Sequence, residues 1–228
     1  MTLCLIGHYD SPFVRRVGVS LHALGIPFER KLLSVFSNAD EMRAFNPLVR
    51  VPALVLDDGE CVIDSAAILD YLDEMVGPER ALLPAGGRAR RDALQRIALA
   101  TGVGDKAVAI TYERRKPAAK IDDTWIARCR GQQEGALGEL DRRFAAAKPE
   151  GARMMQPEIT VATMLGYVRL REPNTLPPGR YPALEAVCVR AEATPAFEAC
   201  LPSLEEIGGP PEEARAALFR LASGQASR

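Results

Sequence analysis

The N-terminal third of the chain alternates short apolar runs with amphipathic segments. Leu3–Ile6 predicts a strand. Phe13–Leu24 predicts a helix with one buried face, because its apolar residues recur at helical spacing. These residues are Val14, Val17, Leu21 and Leu24. The pattern stops at Gly25, a residue type that commonly ends helices.

A second strand is predicted at Phe28–Leu33, followed by a short helix around Asp40–Phe45. Two further strands, Ala53–Leu56 and Cys61–Ile63, flank the sequence Asp-Asp-Gly, and Asp-Gly between apolar runs indicates a hairpin. A helix then begins at Asp64-Ser65 and ends at Gly77-Pro78. A helix between two strands favours a parallel pair, and the hairpin adds an antiparallel strand. We therefore predict a mixed four-stranded sheet covered by helices.

The rest of the chain carries helical patterns and almost no strand signal. A proline- and glycine-containing linker is predicted at 81–87, between a first domain at 1–80 and a second at 88–228. Helices are predicted at 88–115, 121–147, 157–171, 181–193 and 211–222. The predicted fold class is an α/β domain followed by an all-α domain.

Composition narrows the classes of partner. The chain has 228 residues and a net charge of -1, so it lacks the basic surplus that binds a nucleic-acid backbone. No apolar run approaches the roughly 20 residues of a membrane span. We expect no nucleic-acid and no membrane partner.

Five cysteines and two histidines are present, without any C-x-x-C pair or close Cys/His cluster. We therefore expect no metal site. Reduced cysteines, together with the absence of a basic-then-apolar leader after Met1, favour a cytoplasmic protein.

Five short motifs give the layout a more specific meaning. They are S-P-F-V-R-R-V at 11–17, F-N-P-L-V-R-V-P-A-L at 45–54, D-S-A-A-I-L-D-Y-L at 64–72, P-E-I-T-V-A-T-M at 157–164 and Y-P-A-L-E at 181–185. In this order the chain resembles the cytosolic glutathione S-transferases, and the first motif resembles their bacterial, serine-type branch. The resemblance implies a thioredoxin-like domain that binds glutathione, and a helical domain behind it.

The resemblance implies that Arg50, Val51 and Pro52 bind glutathione. It implies a cis bond between Val51 and Pro52 that turns the backbone of Val51 toward the cysteinyl unit of glutathione, like one more rung of a sheet. Arg50 would contact the glycyl end. From the residues alone, a trans proline that starts an edge strand fits equally well.

Asp64 and Ser65 precede a helix, and both are good capping residues. The resemblance implies that Ser65 and nearby amides bind the γ-glutamyl carboxylate of glutathione, since helix N-termini favour anions. Asp64 would face the γ-glutamyl ammonium group. Capping and binding use the same exposed N–H groups, so the two roles are compatible.

Ser11 occupies the start of a helix, where a redox-active thioredoxin-like unit would carry the first cysteine of C-x-x-C. Dithiol exchange is therefore excluded at this position, and we expect Ser11 to donate a hydrogen bond to the glutathione thiolate. Tyr9 is the alternative donor, because some classes of the family use a tyrosine near the end of the first strand. Arg15, four residues after Ser11, is a candidate for tuning the site.

The electrophile pocket is expected between the domains, against the helix at 88–115, with Thr101, Asp105 and Tyr112 as candidates. The resemblance implies thiolate attack by glutathione on a small hydrophobic electrophile, and a homodimer. Two alternatives stay open: a non-enzymatic regulatory or binding protein of the same fold, and a glutathione-dependent isomerase, dehalogenase or peroxidase.

Overall fold

The computed structural model describes residues 2–147 and 153–207. Its sheet consists of β1 (Leu3–Ile6), β2 (Phe28–Lys31), β3 (Ala53–Val55) and β4 (Cys61–Ile63), in the order β2-β1-β3-β4. The β1 and β2 strands are parallel, and β3 is antiparallel to both β1 and β4. The mixed four-stranded sheet predicted from the sequence is confirmed.

Three helices accompany the sheet: α1 (Pro12–Leu24), α2 (Ala39–Arg43) and α3 (Ser65–Val76). The four apolar residues that predicted α1 are all buried, with exposed fractions of 3% or less. Gly25 ends α1 in the left-handed conformation, with φ at 66°, where an L side chain would be strained.

The described remainder of the chain is helical, which confirms the fold class. It contains α4 (Gly87–Glu113), α5 (Asp123–Ala146), α6 (Gln156–Arg171), α7 (Pro182–Glu192), α8 (Pro195–Ala199) and α9 (Leu204–Ile207), with 3-10 turns at Ala118–Lys120 and Pro173–Thr175. The predicted helix at 211–222 lies outside the described residues. The α5 helix begins later than predicted because the side chain of Asp122 caps it, accepting the N–H of Trp125 at 3.0 Å.

A close approach of α4 and α6 forms the centre of the helical part. Gly104 on α4 faces Met164 on α6, and a β-carbon at Gly104 would collide with the thioether sulfur. Glycine at this position allows the two helix backbones to lie near each other. No helix among the described residues is long and apolar enough to cross a membrane.

The α1 helix packs against β1, α3, α6 and α8, so it joins the sheet to the helical part. Its Arg15 is buried and donates two hydrogen bonds to the carboxylate of Glu192 on α7, at 2.9 and 2.8 Å. The Nε of Arg15 also donates to the carbonyl of Cys200 at 3.0 Å, and the guanidinium lies over the ring of Phe197. This ion pair fixes α1 against the C-terminal helices.

We expect Glu192→Gln to lower the free energy of unfolding by about 3–5 kcal/mol, because it leaves the buried guanidinium of Arg15 without its counter-charge. Urea unfolding followed by circular dichroism measures the effect. The matched control is Glu134→Gln, since Glu134 pairs with Arg180 at the surface with 53% of its side chain exposed. The control should cost less than about 1 kcal/mol. Equal losses for the two variants would contradict the role assigned to the buried pair.

Candidate functional site

A cleft of about 610 Å³ opens between the sheet and the helical part. The loop after β1 and the start of α1 form one wall, and the loop after β2 and the segment before β3 form another. The α4 and α6 helices face them, and the end of α9 adds Glu206 and Ile207. The cleft therefore lies between the α/β part and the helical part, against the helix at 88–115, where we expected the electrophile pocket.

Ser11 lines this cleft at the N-terminus of α1. It holds the capping position, yet its hydroxyl makes no capping hydrogen bond; its backbone C=O accepts the N–H of Arg15 at 2.9 Å. Pro12 follows at the first position of the helix, where a missing N–H costs nothing. Within residues 2–147 and 153–207 the hydroxyl of Ser11 thus has no hydrogen-bond partner, and it lies at the positive end of a helix.

Val51 faces the same cleft, and its peptide bond to Pro52 is cis. No hydrogen bond joins the backbone N–H or C=O of Val51 to any residue in the described ranges. Gly7 allows the loop after β1 to approach this segment, because a β-carbon there would lie 2.7 Å from Val14 and 3.0 Å from Val51. Its φ of +127° also favours glycine.

The segment before Pro52 is held by Asn46, a residue that the sequence analysis does not single out. Asn46 is buried; its Nδ2 donates to the carbonyl of Arg50 at 2.8 Å, and its Oδ1 accepts the N–H of Leu48 at 2.9 Å. Val49 has a φ of +51°, unusual for a β-branched residue. The asparagine lies inside the quoted 45–54 motif, which was the signal that could have identified it.

Asp64 and Ser65 begin α3 beside the cleft rather than in its lining. Asp64 accepts the N–H of Ala66 at 2.8 Å, so it is a true cap, and it has a φ of +69°. Ser65 is 2% exposed, and its hydroxyl has no hydrogen-bond partner among residues 2–147 and 153–207. Residues held in an unusual backbone conformation, as Asp64 is, cluster at functional sites.

The alternative thiol-activating residues lie elsewhere. Tyr9 is buried, with its ring packed on Gly18 and beneath the guanidinium of Arg30, whose central carbon is 3.5 Å from the ring centroid. Burial raises the pKa of the Tyr9 hydroxyl far above its ordinary value, and the neighbouring thiol of Cys200 adds to the shift. Neither Tyr9 nor Arg15, which is committed to Glu192, lines the cleft.

Of the three residues expected in the electrophile pocket, Tyr112 lines the cleft. Asp105 lies close enough to Arg50 and Asp64 to interact with their charges, although it is not part of the lining. Thr101 is outside the cleft, and its hydroxyl donates to carbonyls of its own helix, those of Ile97 and Ala98. The pocket contacts α4 nearer its C-terminal end than we predicted.

Two acidic residues of the cleft escaped the sequence analysis. Asp10 forms an ion pair with Arg171 at 3.0 Å. Burial raises the pKa of the Asp10 carboxyl, and the charges of Arg171 and His8 partly counteract this rise. Glu206 accepts the backbone N–H of Tyr9 at 2.8 Å and pairs with Arg30. Both carboxylates receive partners that are distant in sequence, which no local pattern reveals.

The outer rim of the cleft is aromatic and basic. Phe36, in the loop after β2, meets Tyr112 edge to face at 5.4 Å between ring centroids. The guanidinium of Arg115 lies over the Phe36 ring, 3.8 Å from its centroid. In the part of the chain that the structure describes, no group of three or more His, Cys, Asp or Glu side chains could hold a metal ion.

The four-stranded sheet, the helical part behind it and the cleft at their junction define a protein of the glutathione-transferase class. Residues 5–80 match the family model for the N-terminal domain of glutathione S-transferase. The chain is 32% identical over 174 residues to the uncharacterized GST-like protein YibF of Escherichia coli (strain K12), which covers 73% of this chain and 82% of that protein. It belongs to the glutathione S-transferase family.

The comparisons extend to a solved structure and to a second relative. A glutathione S-transferase from Methylobacterium radiotolerans, in complex with glutathione sulfonate, superimposes with a TM-score of 0.81 at 31% identity, over 89% of this chain and 95% of that one. A probable maleylacetoacetate isomerase of Vibrio cholerae is 26% identical over 214 residues, which cover 89% of this chain and 96% of that protein.

The Glu206 contacts generate a prediction about pH. Burial alone would raise the pKa of this carboxyl, but the N–H groups of Ser203 and Tyr9 and the guanidinium of Arg30 outweigh it and hold the pKa below its ordinary 4.5. A lowered pKa in the folded state stabilises the protein above pH 4.5, and the contribution is lost as the pH falls through the folded-state value.

We therefore expect Glu206→Gln to lower the melting temperature at pH 7, and the gap to the parent protein to narrow as the pH is lowered below 4.5. Calorimetric scans over a pH series measure both. Glu41→Gln, which removes a half-exposed pair with Lys31, should leave the melting temperature nearly unchanged throughout. A gap for Glu206→Gln that stays constant with pH would show that the charge contributes nothing.

Proposed function

We propose that this protein is a glutathione transferase in which Ser11 stabilises the thiolate of bound glutathione. The observation that carries the proposal is the uncommitted hydroxyl of Ser11 at the N-terminus of α1, in one cleft with the unpaired backbone of Val51. One group suits a thiolate and the other suits a peptide backbone. Glutathione is the small thiol peptide that the family's N-terminal domain implies.

The remaining predicted residues suit the ends of glutathione. The hydroxyl of Ser65 and the N-terminus of α3 favour the γ-glutamyl carboxylate, and the Asp64 carboxylate favours the ammonium group. Arg50 is exposed in the cleft and without an acidic hydrogen-bond partner among the described residues, so it is available to the glycyl carboxylate. Asn46 holds the carbonyl of Arg50 and thereby the segment between them.

The hydroxyl of Ser11 and the N-terminus of α1 can together supply the free energy that is needed to lower the pKa of the glutathione thiol. A free thiol has a pKa near ~8.5, and lowering it by about 2 requires about 3 kcal/mol. A hydroxyl hydrogen bond to a charged sulfur contributes about 1.5–3 kcal/mol. The N-terminus of α1 adds about 0.3–1 kcal/mol.

With an aryl halide, the glutathione thiol first loses its proton to solvent. The thiolate then attacks the ring carbon, so that a carbon–sulfur bond forms, and the halide leaves with the electron pair of the broken bond. The chain supplies the hydroxyl of Ser11 to hold the sulfur and the cleft to hold the electrophile. It needs no metal for this step.

A glutathione-dependent isomerase is the second candidate, favoured by the similarity to the probable maleylacetoacetate isomerase of Vibrio cholerae. In such a reaction the thiolate would add to a carbon–carbon double bond, the resulting single bond would rotate, and the thiolate would be expelled. Glutathione is consumed in transfer and returned in isomerisation, so the glutathione balance separates the two reactions. Glutathione binding without turnover of any electrophile would favour the non-enzymatic alternative.

Assembly as a homodimer, a cytoplasmic location, membership of the serine-type branch and domain boundaries at 80 and 88 stay predictions. Light scattering of the purified protein measures its oligomeric state. Limited proteolysis measures whether the 81–87 segment separates two resistant fragments.

We expect Ser11→Ala to raise the pKa of the bound glutathione thiol by about 1–2 pH units and to lower kcat/KM at pH 7 by roughly 10- to 100-fold, since the variant removes one hydrogen bond to a charged sulfur. Thiolate absorbance of the glutathione complex over a pH series reports the pKa directly. Conjugation of 1-chloro-2,4-dinitrobenzene reports the rate.

The matched control is Tyr9→Phe, which removes the rival hydroxyl from a position outside the cleft and should leave the pH profile unchanged. An unchanged thiol pKa in Ser11→Ala, together with a raised one in Tyr9→Phe, would transfer the role to Tyr9. Calorimetry showing no glutathione binding by the unmodified protein would refute the proposed function as a whole.

A further inference from the structure

The aromatic rim of the cleft is built from both parts of the chain. Phe36 and Tyr112 are large apolar side chains, yet 54% and 48% of their surfaces are exposed. Phe36 belongs to the loop after β2 and Tyr112 to α4, and their edge-to-face contact closes one side of the cleft. Such a rim offers apolar surface to a planar group that enters beside the thiol site.

Some of the charged side chains that line the cleft form ion pairs and others do not. Five charged side chains line the cleft: Asp10, Arg50, Arg115, Arg171 and Glu206. Each of the two carboxylates already has an arginine partner, Arg171 for Asp10 and Arg30 for Glu206. Neither Arg50 nor Arg115 forms an ion pair with any carboxylate in the described ranges 2–147 and 153–207. The cleft therefore contains two guanidinium groups without an ion-pair partner in these ranges, although Arg50 also lies within range of the charge of Asp105.

Glutathione does not account for both of them. Its γ-glutamyl carboxylate is assigned to Ser65 and the start of α3, and its glycyl carboxylate to Arg50 before β3. Arg115 lies on another element, just after the end of α4, where its guanidinium stacks over Phe36. Stacking holds one face of the guanidinium and leaves its N–H edge free to bind an anion.

We propose that the second substrate is an electrophile that carries a carboxylate, and that Arg115 binds this carboxylate while the Phe36–Tyr112 rim contacts the planar body of the molecule. This inference rests on the proposed function and specifies its substrate class. A guanidinium matches a carboxylate with two parallel hydrogen bonds, and a pre-stacked guanidinium loses little freedom on binding. Thr111 and Val108, which also line the cleft, border the rim on α4.

The position of Tyr112 supports the same assignment. Its hydroxyl is near enough to both Arg115 and Arg50 to interact with their charges, and all three residues line the same cleft. The rim is thus suited to an aromatic or otherwise planar acid rather than to a neutral hydrocarbon.

Two aryl chlorides of nearly identical shape test the proposal, each rate being divided by its uncatalysed rate with glutathione: 4-chloro-3,5-dinitrobenzoate and 4-chloro-3,5-dinitrobenzamide. In both, glutathione thiolate displaces chloride, which leaves with the bonding electrons. We expect Arg115→Gln to lower kcat/KM for the benzoate by roughly 10- to 100-fold, as for the loss of a charge-assisted hydrogen bond, and to change the value for the amide less than about 2-fold.

Arg114→Gln is the matched control, because Arg114 is an equally exposed neighbour on the same helix end that does not line the cleft. It should leave both substrates unchanged. Arg115→Lys should restore part of the benzoate activity, since it keeps the charge and loses the bidentate geometry. Circular dichroism confirms that each variant is folded.

Three outcomes would overturn the proposal. Equal losses for benzoate and amide would mean that Arg115 only supports the rim. A raised KM for glutathione with both substrates would mean that Arg115 binds glutathione itself. No preference of the unmodified protein for the benzoate over the amide, once each kcat/KM is divided by the uncatalysed rate constant, would remove the case for an anionic substrate.

A binding measurement separates this proposal from the proposed function. Calorimetry with unreactive 3,5-dinitrobenzoate, in the presence of glutathione, should detect binding that Arg115→Gln weakens at least about 10-fold. This result without conjugation of either chloride would keep the anion site and refute the transferase reaction. Conjugation of the amide without binding of dinitrobenzoate would keep the transferase and refute the anion site.

Discussion

The buried ion pair between Arg15 and Glu192 is the interaction on which the site most depends. It joins α1, which carries Ser11 at its first turn, to α7 at a sequence separation of 177 residues. A charge taken this far out of water is tolerated only where its partner is fixed in good geometry. The same pair that ties the two parts of the chain together therefore determines where the N-terminus of α1 points, and with it the hydroxyl of Ser11.

The rest of the cleft is shaped chiefly by backbone. Gly7 lets the loop after β1 pack against Val51, and Asn46 holds the carbonyl of Arg50 in place of a regular strand contact. Asp64 caps α3 from a φ that favours glycine. The backbone of Val51, which lies between these devices, has no hydrogen-bond partner in the described ranges and is available to a peptide ligand.

Local patterns predicted the sheet and most helices because β1, α1 and α3 bury continuous faces that show in their spacing. The family resemblance led us to expect a pocket between the domains against the helix at 88–115, with Tyr112 among its candidates, and the cleft has both Ser11 and Tyr112 in its lining. Local patterns did not place Arg15, Tyr9 or Thr101, since their surroundings come from remote contacts. Arg15 lies one turn from Ser11 in sequence, but α1 is packed on several sides, and the guanidinium finds its partners on α7 and α8. Asp10 and Glu206 were missed for the same reason.

The distribution of charge follows from these structural commitments. The chain as a whole is almost neutral, with 29 basic and 30 acidic residues, so its composition indicates no affinity for anions. Inside the cleft, however, the fold itself uses the acids: Glu206 secures the loop after β1, and Asp10 secures the end of α6. Because the carboxylates are used for structure and Arg50 and Arg115 are not, a neutral sequence produces a locally basic cleft. The fold uses the acidic side chains of the cleft for its own ion pairs and hydrogen bonds. Arg50 and Arg115 form no such ion pair among the described residues, so they can bind anionic ligands, and this difference favours an anionic substrate.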